Sequence, residues 1–145
     1  MTVNELAANE NFSALSLPCG DRAIEGVYCG DLLSWVMGRA SAGDAWITIM
    51  SNINVLAVVS LADTACVILA EGVTLDKDAA FAAEEKGINV LSSKKNAYEL
   101  CVLLHGLLCT DIITTFTYIP VFPRAAITIQ RPTILQEWGS LTVLI

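Results

Sequence analysis

The sequence predicts an α/β layered domain, a mainly parallel sheet flanked by helices over Gly26 to Leu108, and three observations carry that prediction. The stretch Gly26 to Ile49, GVYCGDLLSWVMGRASAGDAWITI, holds in succession a strand, a helix cap, an amphipathic helix, a Gly-Asp turn and a second strand. The alternation of short apolar runs with helical periods then repeats as far as Leu108, the pattern of right-handed βαβ crossovers. Finally, 145 residues with 54% hydrophobic content fit one domain able to bury a core without disulfides or metal.

Taken in order, Thr2 and Glu5 have capping-box spacing, which predicts a short helix from Val3 with Leu6 turned inward and an end before Phe12. Ala14 to Leu17 reads as a short strand closed by Pro18, Gly20 and Asp21, and Gly26 to Cys29 as a second strand. Asp31 is placed to cap a helix over Leu32 to Arg39, where Leu32, Leu33, Val36 and Met37 share an apolar face and Trp35 falls near its edge. A turn at Ser41 to Asp44 leads into a buried strand, Ala45 to Met50. Ser51 or Asn52 caps the next helix, Ile53 to Leu61, which is apolar nearly all round and so is expected between the sheet and another surface. Ala65 to Leu69 is a strand ending at Glu71-Gly72. Asp76 or Asp78 opens a helix through Lys86, and Gly87 stops it in the C′ manner. Asn89 to Leu91 is the next strand, with Ser92-Ser93 at its carboxyl end, and Ala97 to Leu108 closes the pattern as an amphipathic helix.

A net charge of −7 argues against nucleic acid or an anionic membrane as partner, since both demand a basic face. The five cysteines are odd in number, form no C-x-x-C pair and sit mostly in apolar runs, so they read as reduced, mostly buried thiols, with a metal site around the lone His105 as the minor alternative. The polar, acidic start MTVNELAANENF lacks the features of a signal peptide, and no apolar run reaches the length of a membrane span; a cytoplasmic protein is expected.

No glycine-rich phosphate loop, paired histidines or serine or cysteine beside a base announces a reaction, so no catalytic residue and no metal ligand is assigned, and no cofactor is named. In open α/β sheets ligands bind beyond the carboxyl ends of the strands, which makes Gly30-Asp31, Ser51-Asn52, Glu71-Gly72 and Ser92-Ser93 the loops to consider. The candidate ligand-binding residues are therefore Asp31, Asp44, Trp46, Ser51, Asn52, Glu71, Gly72, Ser92 and Ser93. Each has a purely structural counterpart: a cap for Asp31, Ser51 and Asn52, a turn for Asp44, core packing for Trp46, a solvated loop for Glu71. Glu71 is the best polar candidate, because it ends a buried strand where a side chain can enter the crevice. His105, late in the last helix, suits the helix dipole better than catalysis.

Gly26 to Leu108 resembles the DRTGG domain family, related in fold to the amino-terminal domain of HPr kinase/phosphorylase. The carriers are GDLLSWVM at Gly30 to Met37, AGDAWITI at Ala42 to Ile49, NVLAVVSLAD at Asn54 to Asp63, ACVILAEG at Ala65 to Gly72 and GINVLSSKKNAYEL at Gly87 to Leu100. The naming motif is degenerate: Ala45-Trp46 follows Gly43-Asp44 where an arginine is expected, and Ala70-Glu71-Gly72 replaces a double glycine, while the turns at Gly43 and Gly72 are expected to survive. The resemblance implies a non-catalytic regulatory or small-ligand-sensing module, expected to act as a homodimer or alongside a separate partner, with a nucleotide or metabolite as ligand. A pure protein-interaction module and a vestigial HPr-kinase-like component are the alternatives.

After Cys109 the texture changes to a Thr-, Ile- and Pro-rich tail with no sustained period, so the domain is expected to span 1–109 and the tail 110–145 to be non-homologous and partly disordered. An edge strand or swapped arm, limited by Pro120, Pro123 and Pro132, is one explanation. Back-translation offers another. Permitted codons for Thr114 to Ile127, read two bases out of phase, give Asp-Leu-His-Ile-His-Ser-Cys-Leu-Ser-Pro-Cys-Gly-Asp, which resembles the metal-binding start of PHP-type phosphoesterases. On this hypothesis a frameshift near Leu108 to Thr114 joined two reading frames, and the tail carries no phosphoesterase chemistry. An intact tail frame in DNA from independent clones and close relatives would remove it.

Overall fold

The computed structural model describes residues 1–109, and the expectations for the tail lie outside them. Its elements are α1 (Val3–Ala7), β1 (Ser13–Ser16), β2 (Gly26–Cys29), α2 (Leu33–Arg39), β3 (Asp44–Thr48), α3 (Ile53–Ala62), β4 (Cys66–Leu69), α4 (Lys77–Glu85), β5 (Val90–Ser92) and α5 (Ala97–Leu108). The five strands form one sheet in the order β1-β5-β4-β3-β2. β2 through β5 are parallel, and β1 pairs antiparallel with β5 with Ser13 opposite Ser92. The α/β class is as the sequence predicts.

Each step from β2 to β5 moves one place in the same direction, and right-handed crossovers therefore stack α2, α3 and α4 on one face. The core on that side joins Val36, Val55, Leu56, Val59, Ala79 and Ala83 of the helices to Trp46, Val67, Leu69 and Val90 of the sheet. On the opposite face Val3 and Leu6 of α1 and Leu100 and Leu104 of α5 meet Ala45, Ile47, Cys66, Ile68 and Leu91. The alternation of Trp46 with Ala45 and Ile47 is the two-residue period of a strand covered on both sides.

The caps follow the local chemistry. Thr2 and Glu5 form the predicted capping box, Asn52 accepts from the Asn54 N–H and Asp76 from the Ala79 N–H. α5 adds a second box, Asn96 with Glu99. At the end of α4 the Gly87 N–H donates to the Glu84 carbonyl and the Ile88 N–H to the Ala83 carbonyl, the two bonds of a Schellman stop. Gly43 and Gly72 have φ of +82° and +70°, so both expected turns use a conformation open to glycine at no steric cost.

Three expectations need correction. Asp31 does not cap α2: its Oδ1 accepts from Thr48 Oγ1 at 2.7 Å and from the Ile49 N–H at 3.0 Å, while Leu32 holds the N-cap without a side-chain bond. The carboxylate reaches donors at the end of β3 and so ties the ends of adjacent strands together. The predicted apolar face of α2 is narrower than its spacing suggested, because Val36 is buried but Leu32 and Met37 are exposed. α3 is not enclosed all round among the described residues: Val55, Leu56, Val58 and Val59 are buried, and Ile53 and Leu61 face outward.

Candidate functional site

Parallel pairing brings the loops after β2, β3, β4 and β5 to one edge of the sheet. The parallel strands run in unbroken sequence, so the order changes only where β5 meets β1. A crevice of about 540 Å³ opens at that place. The strand end after β5 contributes Ser92, Ser93, Lys94 and Lys95, and the connection after β4 contributes Gly72 and Thr74. Because β1 runs the other way, its start and the turn before it face those ends and add Glu10, Asn11, Ser13 and Leu15.

Hydrogen bonds hold the floor rigid. The Gly72 N–H donates to the Ser93 carbonyl at 2.8 Å, the Ser93 N–H to the Leu69 carbonyl at 2.9 Å, and the Glu71 N–H to the Lys95 carbonyl at 2.9 Å. Ser92 Oγ donates to the Val73 carbonyl at 2.7 Å, and Ser93 Oγ accepts from the Lys95 N–H at 3.3 Å. Both serines are buried, so their hydroxyls brace the loop. The ammonium groups of Lys94 and Lys95 make no ion pair among the described residues, where Arg22 with Asp63 is the salt bridge found. Six of the chain's eight Lys and Arg residues lie in 1–109, and these two neighbours line one crevice opposed by one carboxylate, Glu10. Two ammonium groups thus meet one carboxylate in this lining, on a chain of net charge −7. The amino end of α5, two residues beyond Lys94, adds its partial positive charge.

The crevice gathers three of the candidates, Gly72, Ser92 and Ser93. Glu71 lies beside it, exposed and with φ of +58°, but does not line it. Asp31, Ser51 and Asn52 occupy the same edge of the sheet beyond β2 and β3, with Asp31 and Asn52 engaged as described above. Asp44 is at the amino end of β3, where its Oδ2 accepts from the Ser41 N–H at 2.7 Å. Trp46 is fully buried, and its indole N–H donates to the Gly30 carbonyl at 2.8 Å. Neither lines the crevice.

Residue-by-residue reading missed Lys94 and Lys95, although an adjacent lysine pair directly after a strand in an acidic chain was a usable signal. Glu10, Asn11 and Ser13 had no such signal, since they enter only through the antiparallel docking of β1. The cysteines also differ from expectation: Cys66 is buried, but Cys19 and Cys29 are exposed, because each sits at the end of a strand or in a turn. Burial pushes the Cys66 thiol up to about 12. Partial desolvation of its sulfur, the adjacent Cys101 thiol and Asp31 together push Cys29 up to about 11. Both sulfurs are thus protonated, weak nucleophiles at neutral pH. His105 lies in the last turn of α5 with its Nδ1 3.7 Å from Cys109 Sγ, and among the described residues no three His, Cys, Asp or Glu side chains cluster as a metal site. None of the described helices is long and apolar enough to cross a membrane.

No protein-family model and no curated protein sequence matches the chain. A similar solved structure is that of the CBS and DRTGG domains of the regulatory region of the Clostridium perfringens pyrophosphatase, complexed with its activator, diadenosine tetraphosphate. The two are 16% identical, with a TM-score of 0.49, over 61% of this chain. The chain spans 39% of the length of that structure.

Proposed function

We propose that residues 1–109 form a diverged DRTGG-like module that senses a small organic anion, bound without chemical change in the crevice between β5 and β1. The observation that carries this reading is the pair of ammonium groups, Lys94 and Lys95, without an ion pair among the described residues, over a floor braced by backbone bonds. A phosphate or carboxylate placed between them gains two charge-assisted bonds. A binding role also suits the serines, because the Ser92 hydroxyl is spent on the Val73 carbonyl and is not aimed at a base. Occupancy would stiffen the connection after β4, the turn before β1 and the entry to α5.

The test is thermal unfolding of the full chain in the presence of inorganic phosphate and small phosphoesters. An anion at a hundred times its Kd adds about 2.7 kcal/mol, read as a rise of several degrees. The Lys94→Ala/Lys95→Ala double variant is expected to fold normally and to show no shift. A shift that survives in that variant would move the site elsewhere, and the absence of a shift with any anion tested would remove the sensing reading.

A second reading, self-association, is favoured by a separate observation. Leu32, Trp35 and Met37 around α2, with Ile49 and Ile53 at the β3–α3 connection, are each about half exposed. Light scattering on the full chain is expected to report two copies, and Trp35→Glu to return the mass to one. A single-copy mass for the unaltered chain would remove this reading.

A further inference from the structure

A second hollow adjoins the crevice and shares two of its residues, Asn11 and Lys95. It holds about 350 Å³ over the outer side of α5, and Tyr98, Glu99, Val102 and Leu103 complete its lining. Tyr98 is 78% exposed and Val102 55% exposed. They lie four residues apart on one helical face, so the ring and the isopropyl group stand side by side. Leu103 is packed against the core below and gives the hollow an apolar floor. The Glu99 carboxylate at the rim is held by the Asn96 N–H at 3.1 Å.

One hollow carries the lysine pair and the other an aromatic and aliphatic wall, so together they suit a ligand of two parts. Resting on the reading of the crevice as an anion site, we infer that the ligand is an aryl-bearing organic anion. Its phosphate or carboxylate head lies between Lys94 and Lys95, and its planar ring lies over Tyr98 and Val102. Lys95 stands at the junction, where its ammonium serves the head while its methylene stem flanks the ring. The charge balance limits the head: across the two hollows the two ammonium groups face two carboxylates, Glu10 and Glu99, which suits a singly or doubly charged group over a polyphosphate chain. The exposed phenol ring prefers a flat partner, since offset stacking adds to simple apolar burial.

Calorimetry on the full chain with inorganic phosphate, propyl phosphate and phenyl phosphate tests both halves of the assignment. Phenyl phosphate is expected to bind about ten-fold more tightly than inorganic phosphate, with propyl phosphate between them. Tyr98→Ala, at an exposed position that the fold does not need, removes most of the ring's gain and leaves the Kd for inorganic phosphate unchanged. Lys94→Ala/Lys95→Ala weakens all three. If phenyl phosphate gains nothing over phosphate, gains no more than propyl phosphate, or keeps its gain in Tyr98→Ala, the aryl assignment falls and the anion site stands. If no probe binds, or the lysine variant binds all of them as before, the anion site falls and takes the aryl assignment with it.

Discussion

Trp46→Ala is expected to destabilise the domain by about 3–5 kcal/mol, the range for truncating a large buried aromatic side chain. The indole is fully buried within the cluster formed by α2, α3, α4 and their face of the sheet. The surrounding groups belong to β4, β5 and three helices, each held by its own backbone bonds, so the cavity cannot close by the shift of one element. A second loss adds to the first. The Gly30 carbonyl at the end of β2 receives the indole N–H at 2.8 Å and loses that donor. Trp46→Phe separates the two effects, because it keeps most of the ring volume and lacks the N–H; it is expected to cost about 1–3 kcal/mol less than alanine. Urea unfolding monitored by circular dichroism gives the check, with an unchanged slope and a lowered midpoint. Small domains have about 5–15 kcal/mol in total, so the alanine variant should lie near its unfolding threshold at 37 °C. A loss below about 1 kcal/mol would mean that Trp46 is not a core residue.

Strand and helix periods depend on neighbours within a few residues, so β2, β4 and α5 could be read with nearly the bounds they have. The same is true of caps such as Thr2 with Glu5, where donor and acceptor lie three residues apart. Asp31 shows the limit. Its position satisfies every local condition for a cap, yet donors at Thr48 and Ile49, brought within reach only by the pairing of β2 with β3, take its carboxylate. The candidate crevice shows the same limit. The strand-end rule singles out Gly72, Ser92 and Ser93, which line it, but four of its ten lining residues come from the segment around β1, some eighty residues earlier in the chain, and its antiparallel place beside β5 leaves no mark in local periodicity. Charge was the neglected clue, because Lys94-Lys95 stands out against the acidic background without any knowledge of the fold.

Asn89 carries the other large effect, and it too depends on a contact that sequence spacing does not foretell. Its side chain is buried at the amino end of the sheet, where Oδ1 accepts from the Cys19 N–H at 2.9 Å and Nδ2 donates to the carbonyls of Cys19 at 2.8 Å and Ala65 at 3.0 Å. The amide thus pairs with Cys19 as a neighbouring strand would, and fastens the segment after β1 to the loop before β4. Asn89→Ala removes the side-chain partner of the Cys19 N–H and of the Ala65 carbonyl, each costing about 1–3 kcal/mol when unrelieved, while the Cys19 carbonyl keeps the Arg22 N–H at 3.2 Å. Water entering beside the exposed Cys19 can relieve part of this, so a loss of about 3 kcal/mol is expected in urea unfolding. Asn89→Asp is the sharper probe. An ionised carboxylate can still accept from the Cys19 N–H, but it faces two carbonyl oxygens with no proton to offer, so burial and repulsion raise the pKa of the introduced carboxyl in the fold above its unfolded value of about 3.9. With the folded pKa raised, the favourable contribution is fully present below the unfolded pKa and is lost as pH rises through the folded one. Relative to Asn89→Ala, the aspartate variant should therefore be more stable at pH 4 than at pH 7. Equal pH profiles for the two variants would show that the side chain is not held against those carbonyls, and that the bridge between β1 and the amino end of the sheet is made by other groups.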